Sequence, residues 1–288
     1  MRQARSAALS RATAPAGPFD RRAAVEADYL RMCRLRRMSY GELQALLAGD
    51  PAEAAPWVEV AARYGLAEAQ VRLGQMQLDG LGAAKDPFAA LSWFLRAANT
   101  GAAEAMNMVG RCHENGWGTP VSLPTAARWY RRSAEAGHDW GEYNYANMLF
   151  DGRGLERDAA QAVAWYRRAA DKGHARAMNL LARCHEEGWG TPRDLAAACA
   201  WYRRSAESGY FRAQFNHGSI LAAQGRVGEA LTWFDRACGE APADSLRSMV
   251  EVLLRQTDPQ LAGFARTVAR RLDRGQPVEG QTVGGRPC

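Results

Sequence analysis

Two decapeptides, RCHENGWGTP at 111–120 and RCHEEGWGTP at 183–192, place a thiol, an imidazole and a carboxylate side by side, 72 residues apart. Cys, His and Glu are the side chains that hold a transition metal through sulfur, nitrogen and oxygen. In a helix, however, adjacent residues point about 100° apart, so Cys112 with His113, or Cys184 with His185, converge poorly on one ion. The positions one repeat away argue the same way. Met76, Met148 and Ile220 stand where the cysteines stand, and Gln77, Leu149 and Leu221 where the histidines stand. Core packing is the expectation, with no metal and no cofactor.

Catalytic groupings are equally sparse. The five histidines fall at repeat or packing positions, and no carboxylate pair stands outside the repeat pattern. Neither of the two lysines, Lys85 and Lys172, has a Ser three residues before it. No catalytic residue is assigned, and the chain is not expected to be an enzyme. Its Gly-x-Gly loops follow helices, whereas a dinucleotide loop follows a strand, so phosphate binding is disfavoured.

Recognition residues are better represented. Trp117 and Trp189 sit between loop glycines, where an aromatic either contacts a partner or folds over the next helix; folding over is the favoured reading. Arg131, Arg167 and Arg203 form a column whose member in the second unit is Leu95, so the charge answers no simple structural need. Such a ladder would suit an acidic peptide, although a solvated face is the favoured reading. The neighbouring column, Arg96, Arg132, Arg168 and Arg204, has Glu135, Asp171 and Glu207 three residues beyond its last three members, which predicts local ion pairs.

These side chains are carried on a repeat. Trp57, Trp93, Trp129, Trp165 and Trp201 recur every 36 residues, as do Gly65, Gly101, Gly137, Gly173 and Gly209, and a third column of Asp50, Asp86, Ser122, Asp158 and Asp194. A period of that size marks a solenoid of supersecondary units. Asp or Ser supplies an N-cap oxygen, and Pro51 and Pro87 suit the first helical position. The glycine column ends helix A about four turns later. Helix B follows and stops at Gly-x-Gly. The fold class is therefore all-α, stacked αα-hairpins in an α-solenoid, with each Trp burying 150 to 250 Å² of shared core.

Units are expected near 50–85, 86–121, 122–157, 158–193 and 194–225. A shortened tetratricopeptide-like unit follows at 226–243, where Gln224 replaces the first loop glycine. Capping helices are expected at 20–49, where Ser39 and Glu42 form a capping box, and at 244–275, as two helices near 245–256 and 259–273. Residues 1–19 and 276–288 have a disordered composition. The formal charge of +6 lies entirely in residues 1–38, nine arginines against Asp20, Glu26 and Asp28. A plain solvated segment is favoured there over a nucleic-acid or membrane arm, so nucleic acid is not an expected partner. No signal sequence and no apolar run long enough to span a membrane occurs, which points to the cytoplasm. The six cysteines, 33, 112, 184, 199, 238 and 288, are expected to be reduced.

WYRRSAEAGH (129–138), WYRRAADKGH (165–174), WYRRSAESGY (201–210) and the loops at Gly80, Gly116, Gly152 and Gly188 resemble the Sel-one-like repeat (SLR) family, relatives of the tetratricopeptide proteins, over roughly residues 50–240. The resemblance implies a right-handed α-solenoid that acts as a non-enzymatic adaptor and binds a protein partner, with helices A lining its concave face. Small-ligand or cell-wall-fragment binding is the alternative, with precedent in the family's secreted branch, which pairs cysteines within each hairpin. This chain has no such pairs.

Overall fold

The computed structural model describes residues 18–39, 41–42, 45–46 and 49–274, the side chains of 18–25 apart. The expected disordered segments lie outside these residues, except that residues 18 and 19 already belong to a helix. All regular elements among the described residues are helical. The chain divides into two compact units, residues 1–100 and 101–288.

The first unit holds α1 (Pro18–Leu35), α2 (Pro51–Arg63), α3 (Ala67–Asp79) and α4 (Pro87–Asn99). Asp50 accepts from the Ala52 amide, and Asp86 from the amides of Phe88 and Ala89, so the expected caps open α2 and α4. The Ser39–Glu42 capping box also forms: Glu42 N donates to Ser39 Oγ, and Ser39 N donates to the Glu42 carboxylate. α1 packs on α2, where Arg63 reaches Asp28 at 2.8 Å and Arg34 stands 5.3 Å from the Trp57 ring centre.

The second unit continues with α5 (Ala103–Asn115), α6 (Leu123–Glu135), α7 (Asp139–Asp151), α8 (Ala159–Asp171), α9 (Ala175–Glu187), α10 (Leu195–Glu207) and α11 (Phe211–Ala223). It ends with α12 (Val227–Glu240), α13 (Ala243–Leu254) and α14 (Pro259–Asp273). Asp158 and Asp194 cap α8 and α10 through the amides of Gln161 and Ala197. Ser122 departs from its column. Its hydroxyl donates to Thr125 Oγ1 at 2.9 Å and caps no amide.

Phasing the repeat from its caps misplaces the tightest pairing. The closest helix pairs are α3 with α4, α5 with α6, α7 with α8 and α9 with α10, each across a Gly-x-Gly loop, and α11 with α12 across the short Gly225 turn, rather than the pairs joined at the 36-residue glycine column. The reason is a column of small residues. Gly110 has no room for a Cβ, because the Tyr130 ring lies against its Cα, and Gly74 and Gly218 receive Phe94 and Phe234 in the same manner. These rings are buried, with Val58, Tyr166 and Tyr202 in the same column, whereas the tryptophans one residue earlier are only half-buried. The expected tryptophan core is thus an adjacent column of Tyr and Phe. Burying an aromatic ring there is worth roughly 2–3 kcal/mol.

Arginine covers the exposed tryptophan faces. Arg96, Arg132, Arg168, Arg204 and Arg236 lie 4.2–4.9 Å from the ring centres of Trp93, Trp129, Trp165, Trp201 and Trp233. This corrects the expected pairing of that column with Glu135, Asp171 and Glu207. An indole face three residues back lies directly under the guanidinium, and the contact is worth about 0.5–1 kcal/mol at an exposed site.

Candidate recognition site

Packing sets the environment of the Cys-His pairs. Cys112 and Cys184 are buried, and burial pushes the Cys112 thiol up to about 12 and the Cys184 thiol up to about 11. Cys238, also buried, is pushed up to about 12. No group of three metal-ligand side chains assembles among the described residues, and their five cysteines are unpaired. A native alkylation experiment read by mass spectrometry should therefore modify half-exposed Cys33 and Cys199 first. Cys112, Cys184 and Cys238 should resist until the protein is denatured.

Two histidines do structural work that the sequence did not suggest. His138 Nδ1 accepts from the Gly141 amide at 3.2 Å and His174 Nδ1 from the Ala177 amide at 3.1 Å, so each is the N-cap of the next helix. The His174 ring stacks on Tyr143 at 4.8 Å and meets Trp140 edge-on at 4.5 Å. Burial holds both histidines below their ordinary value of 6.5. The unfolded chain therefore takes up more protons, and stability that is whole above pH 6.5 is lost as the pH falls toward the lowered folded values. Thermal unfolding should show a lower Tm at pH 5 than at pH 7.5. His174→Asn, which keeps a cap acceptor but does not titrate, should shrink the difference.

The candidate ladder is exposed and already engaged. Arg131 pairs with Glu135 at 2.7 Å, Arg203 pairs with Glu207 at 2.8 Å, and Arg167 contacts the buried His185 ring at 3.1 Å. Trp117 and Trp189 are half-buried under Arg111 and Arg183, at 5.2 and 5.1 Å, and Trp189 also packs on Phe150 at 5.5 Å. Trp117 lies against its own helix through Arg111, and Trp189 bridges its own helix and Phe150 of the preceding repeat.

A pocket lies instead on the helix B side, between α9 and α11. Its volume is about 400 Å³, and Arg176, Asn179, Leu180, Arg183, Arg212, Phe215 and Asn216 line it with Tyr143, Tyr202, Tyr210, Glu186 and Met249. None of the five predicted partner residues belongs to it. On α9 the lining residues recur at three- and four-residue steps, so they form one helical face. Asn216 Nδ2 donates to Asn179 Oδ1 at 3.0 Å, tying the two helices together, and Tyr202 Oη donates to the Glu186 carboxylate at 2.7 Å.

The same arrangement occurs 72 residues earlier. Asn144 Nδ2 donates to Asn107 Oδ1 at 2.8 Å and Tyr130 Oη to the Glu114 carboxylate at 2.5 Å. The duplication that flagged the Cys-His pairs was therefore the available signal, since it also pairs Asn107 with Asn179, Arg111 with Arg183 and Asn144 with Asn216. What differs is the rim. The column Glu68, Glu104, Trp140, Arg176, Arg212 changes from acidic to basic along the chain.

Paired helices of constant length, closed by left-handed glycine caps and joined through one column of rings, define a helical-hairpin repeat protein. The Sel1 repeat model matches residues 67–101, 103–138, 141–174 and 175–210, each match beginning at or near the start of a helix B, and a tetratricopeptide repeat model matches 205–245. The chain belongs to the Sel1 repeat family, with a tetratricopeptide-like hairpin after its Sel1 array. A Sel1 repeat protein from Oxalobacter formigenes is similar at 25% identity and a TM-score of 0.67, over 78% of this chain and 95% of that one. A protective antigen of uropathogenic Escherichia coli with an SLR fold is similar at 28% identity and a TM-score of 0.63, over 76% of this chain. This chain spans about half, 49%, of that antigen's length. No curated protein matches the chain. No helix among the described residues is long and apolar enough to cross a membrane.

Proposed function

We propose that the chain is a non-enzymatic protein-interaction scaffold whose partner docks on one face of the repeat array. Membership in a repeat family generally used for protein interaction supports the class. The observation that carries the choice of face is the pocket between α9 and α11, where three exposed arginines meet aromatic and amide side chains. The helix A ladder of Arg131, Arg167 and Arg203, with Trp117 and Trp189 at its loops, is the competing surface. A ligand there must displace Glu135 and Glu207 from their arginines, whereas Arg176, Arg183 and Arg212 have no ion pair to break among the described residues. The unpaired cysteines among the described residues favour a reducing compartment such as the cytoplasm.

A pocket of this volume also falls in the small-ligand range, which keeps the small-ligand alternative open. The test is a pull-down from native extract with wild type, the Arg176→Glu/Arg212→Glu variant and the Arg131→Glu/Arg167→Glu/Arg203→Glu variant, all checked for full helical content. Loss of a retained protein in the first variant alone supports the reading. Loss in the second alone moves the site to the ladder, and a wild type that retains nothing removes the scaffold assignment.

A further inference from the structure

We propose that the pocket takes an acidic segment of a partner protein, an assignment that rests on the scaffold reading and names the chemistry of its ligand. Carboxylates sit on Arg176 and Arg212 at one end and on Arg183 at the other, and the segment's backbone lies on the Asn179–Asn216 pair between them.

The arginines are held ready for such a ligand. Each stacks on an aromatic ring: Arg176 on Trp140 at 5.2 Å, Arg183 on Trp189 at 5.1 Å and Arg212 on Phe211 at 5.7 Å. Stacking restrains a guanidinium while leaving its N–H groups free, and none of the three has a carboxylate within ion-pair distance among the described residues. The one carboxylate lining the pocket, Glu186, accepts the Tyr202 hydroxyl.

The fold does not require these charges. At the position of Arg176 and Arg212 it accepts Glu68, Glu104 and Trp140 in the preceding repeats, over the same helix register. The amide pair, in contrast, occurs in both copies of the arrangement. Structural need therefore accounts for the asparagines as a tie between helices B, and the basic rim is particular to this pocket. The tie itself leaves hydrogen-bonding capacity over. With Asn216 Nδ2 bound to Asn179 Oδ1, the Asn179 amide hydrogens and Asn216 Oδ1 remain a donor and an acceptor for one peptide group.

Spacing selects carboxylates over a single phosphate. Arg176 and Arg183 are seven residues apart on α9, about 10 Å along the helix axis, so one phosphate cannot engage all three arginines, whereas acids spread along a chain can. Between them Leu180 and Phe215 supply an apolar surface for one larger side chain of the same segment.

The test uses the full chain and three pools of fluorescent hexapeptides, each with a central Leu or Phe. In the first pool the flanking residues are Asp and Glu, in the second Asn and Gln, and in the third a single phosphoserine among Asn and Gln. Wild type should retain the acidic pool at least about tenfold over the amide pool, and Arg176→Glu/Arg212→Glu, with unchanged helical content, should lose that preference. Asn179→Ala should weaken all members of the acidic pool alike. Equal retention of acidic and amide pools, a preference that survives charge reversal, stronger retention of the phosphoserine pool, or no retention of any pool overturns the inference. If the acidic preference fails while wild type still retains a protein from extract, only the ligand chemistry falls. If neither is retained, the scaffold reading falls with it.

Discussion

Gly190→Ala is expected to cost about 3–5 kcal/mol and to lower the Tm by roughly 10 °C. Gly190 is the second glycine of its loop, with φ +67°, and a Cβ there would collide with the backbone carbonyl of Ala159 at the start of α8. Backbone cannot step aside as a side chain can. Gly173 provides the control, because its φ is +95° but nothing lies within 4 Å of its would-be Cβ. Gly173→Ala should cost only the left-handed strain, about 1–2 kcal/mol. Thermal or urea unfolding of both variants separates the two contributions. Similar losses at the two sites would mean that close approach of loop to helix contributes nothing.

Lys172→Met should destabilise by about 2–3 kcal/mol, although it replaces a partly exposed side chain. Lys172 Nζ lies 2.7 Å from Oε1 of Glu142, whose side chain is 0% exposed, and it also donates to the Gly137 carbonyl at 2.8 Å. Removing one member of a buried pair strands the other charge. The loss is smaller than for an isolated pair because Arg168 remains 3.3 Å from the same oxygen. Glu142→Met/Lys172→Met should recover most of the loss, since Met106 and Met178 already fill the equivalent buried positions one repeat to either side. Chemical denaturation of the two single variants and the double gives the coupling. A double variant no more stable than Lys172→Met would show that the ion pair, rather than burial of the carboxylate, holds α7 to α8.

Periodic features of this protein were legible and pairwise ones were not. Asp50, Asp86, Asp158 and Asp194 act locally on amides two or three residues away, so their spacing alone predicts the caps. The loop glycines are likewise local, and they give the 13-residue helices. The tightest helix pair depends on what faces a small residue across a loop, as Tyr130 faces Gly110, and no period shows which of two adjacent aromatic columns will do so. The partners of the arginines are hidden in the sequence for a related reason. Both columns follow a Trp-Tyr and precede an acid, and only helix geometry decides that Arg132 covers Trp129 while Arg131 takes Glu135. The pocket has no sequence signature of its own because its residues lie on α9 and α11, which meet only once the hairpins stack.

The central claim, that a protein partner docks between α9 and α11, is tested most directly by site-specific photo-crosslinking. Benzoylphenylalanine would replace Leu180, half-buried in the pocket, in one sample and Arg167, on the competing ladder, in another. The account predicts a discrete crosslinked protein from position 180 that disappears in the Arg176→Glu/Arg212→Glu background, and none from position 167. Crosslinking from 167 without 180, or from neither, would contradict it.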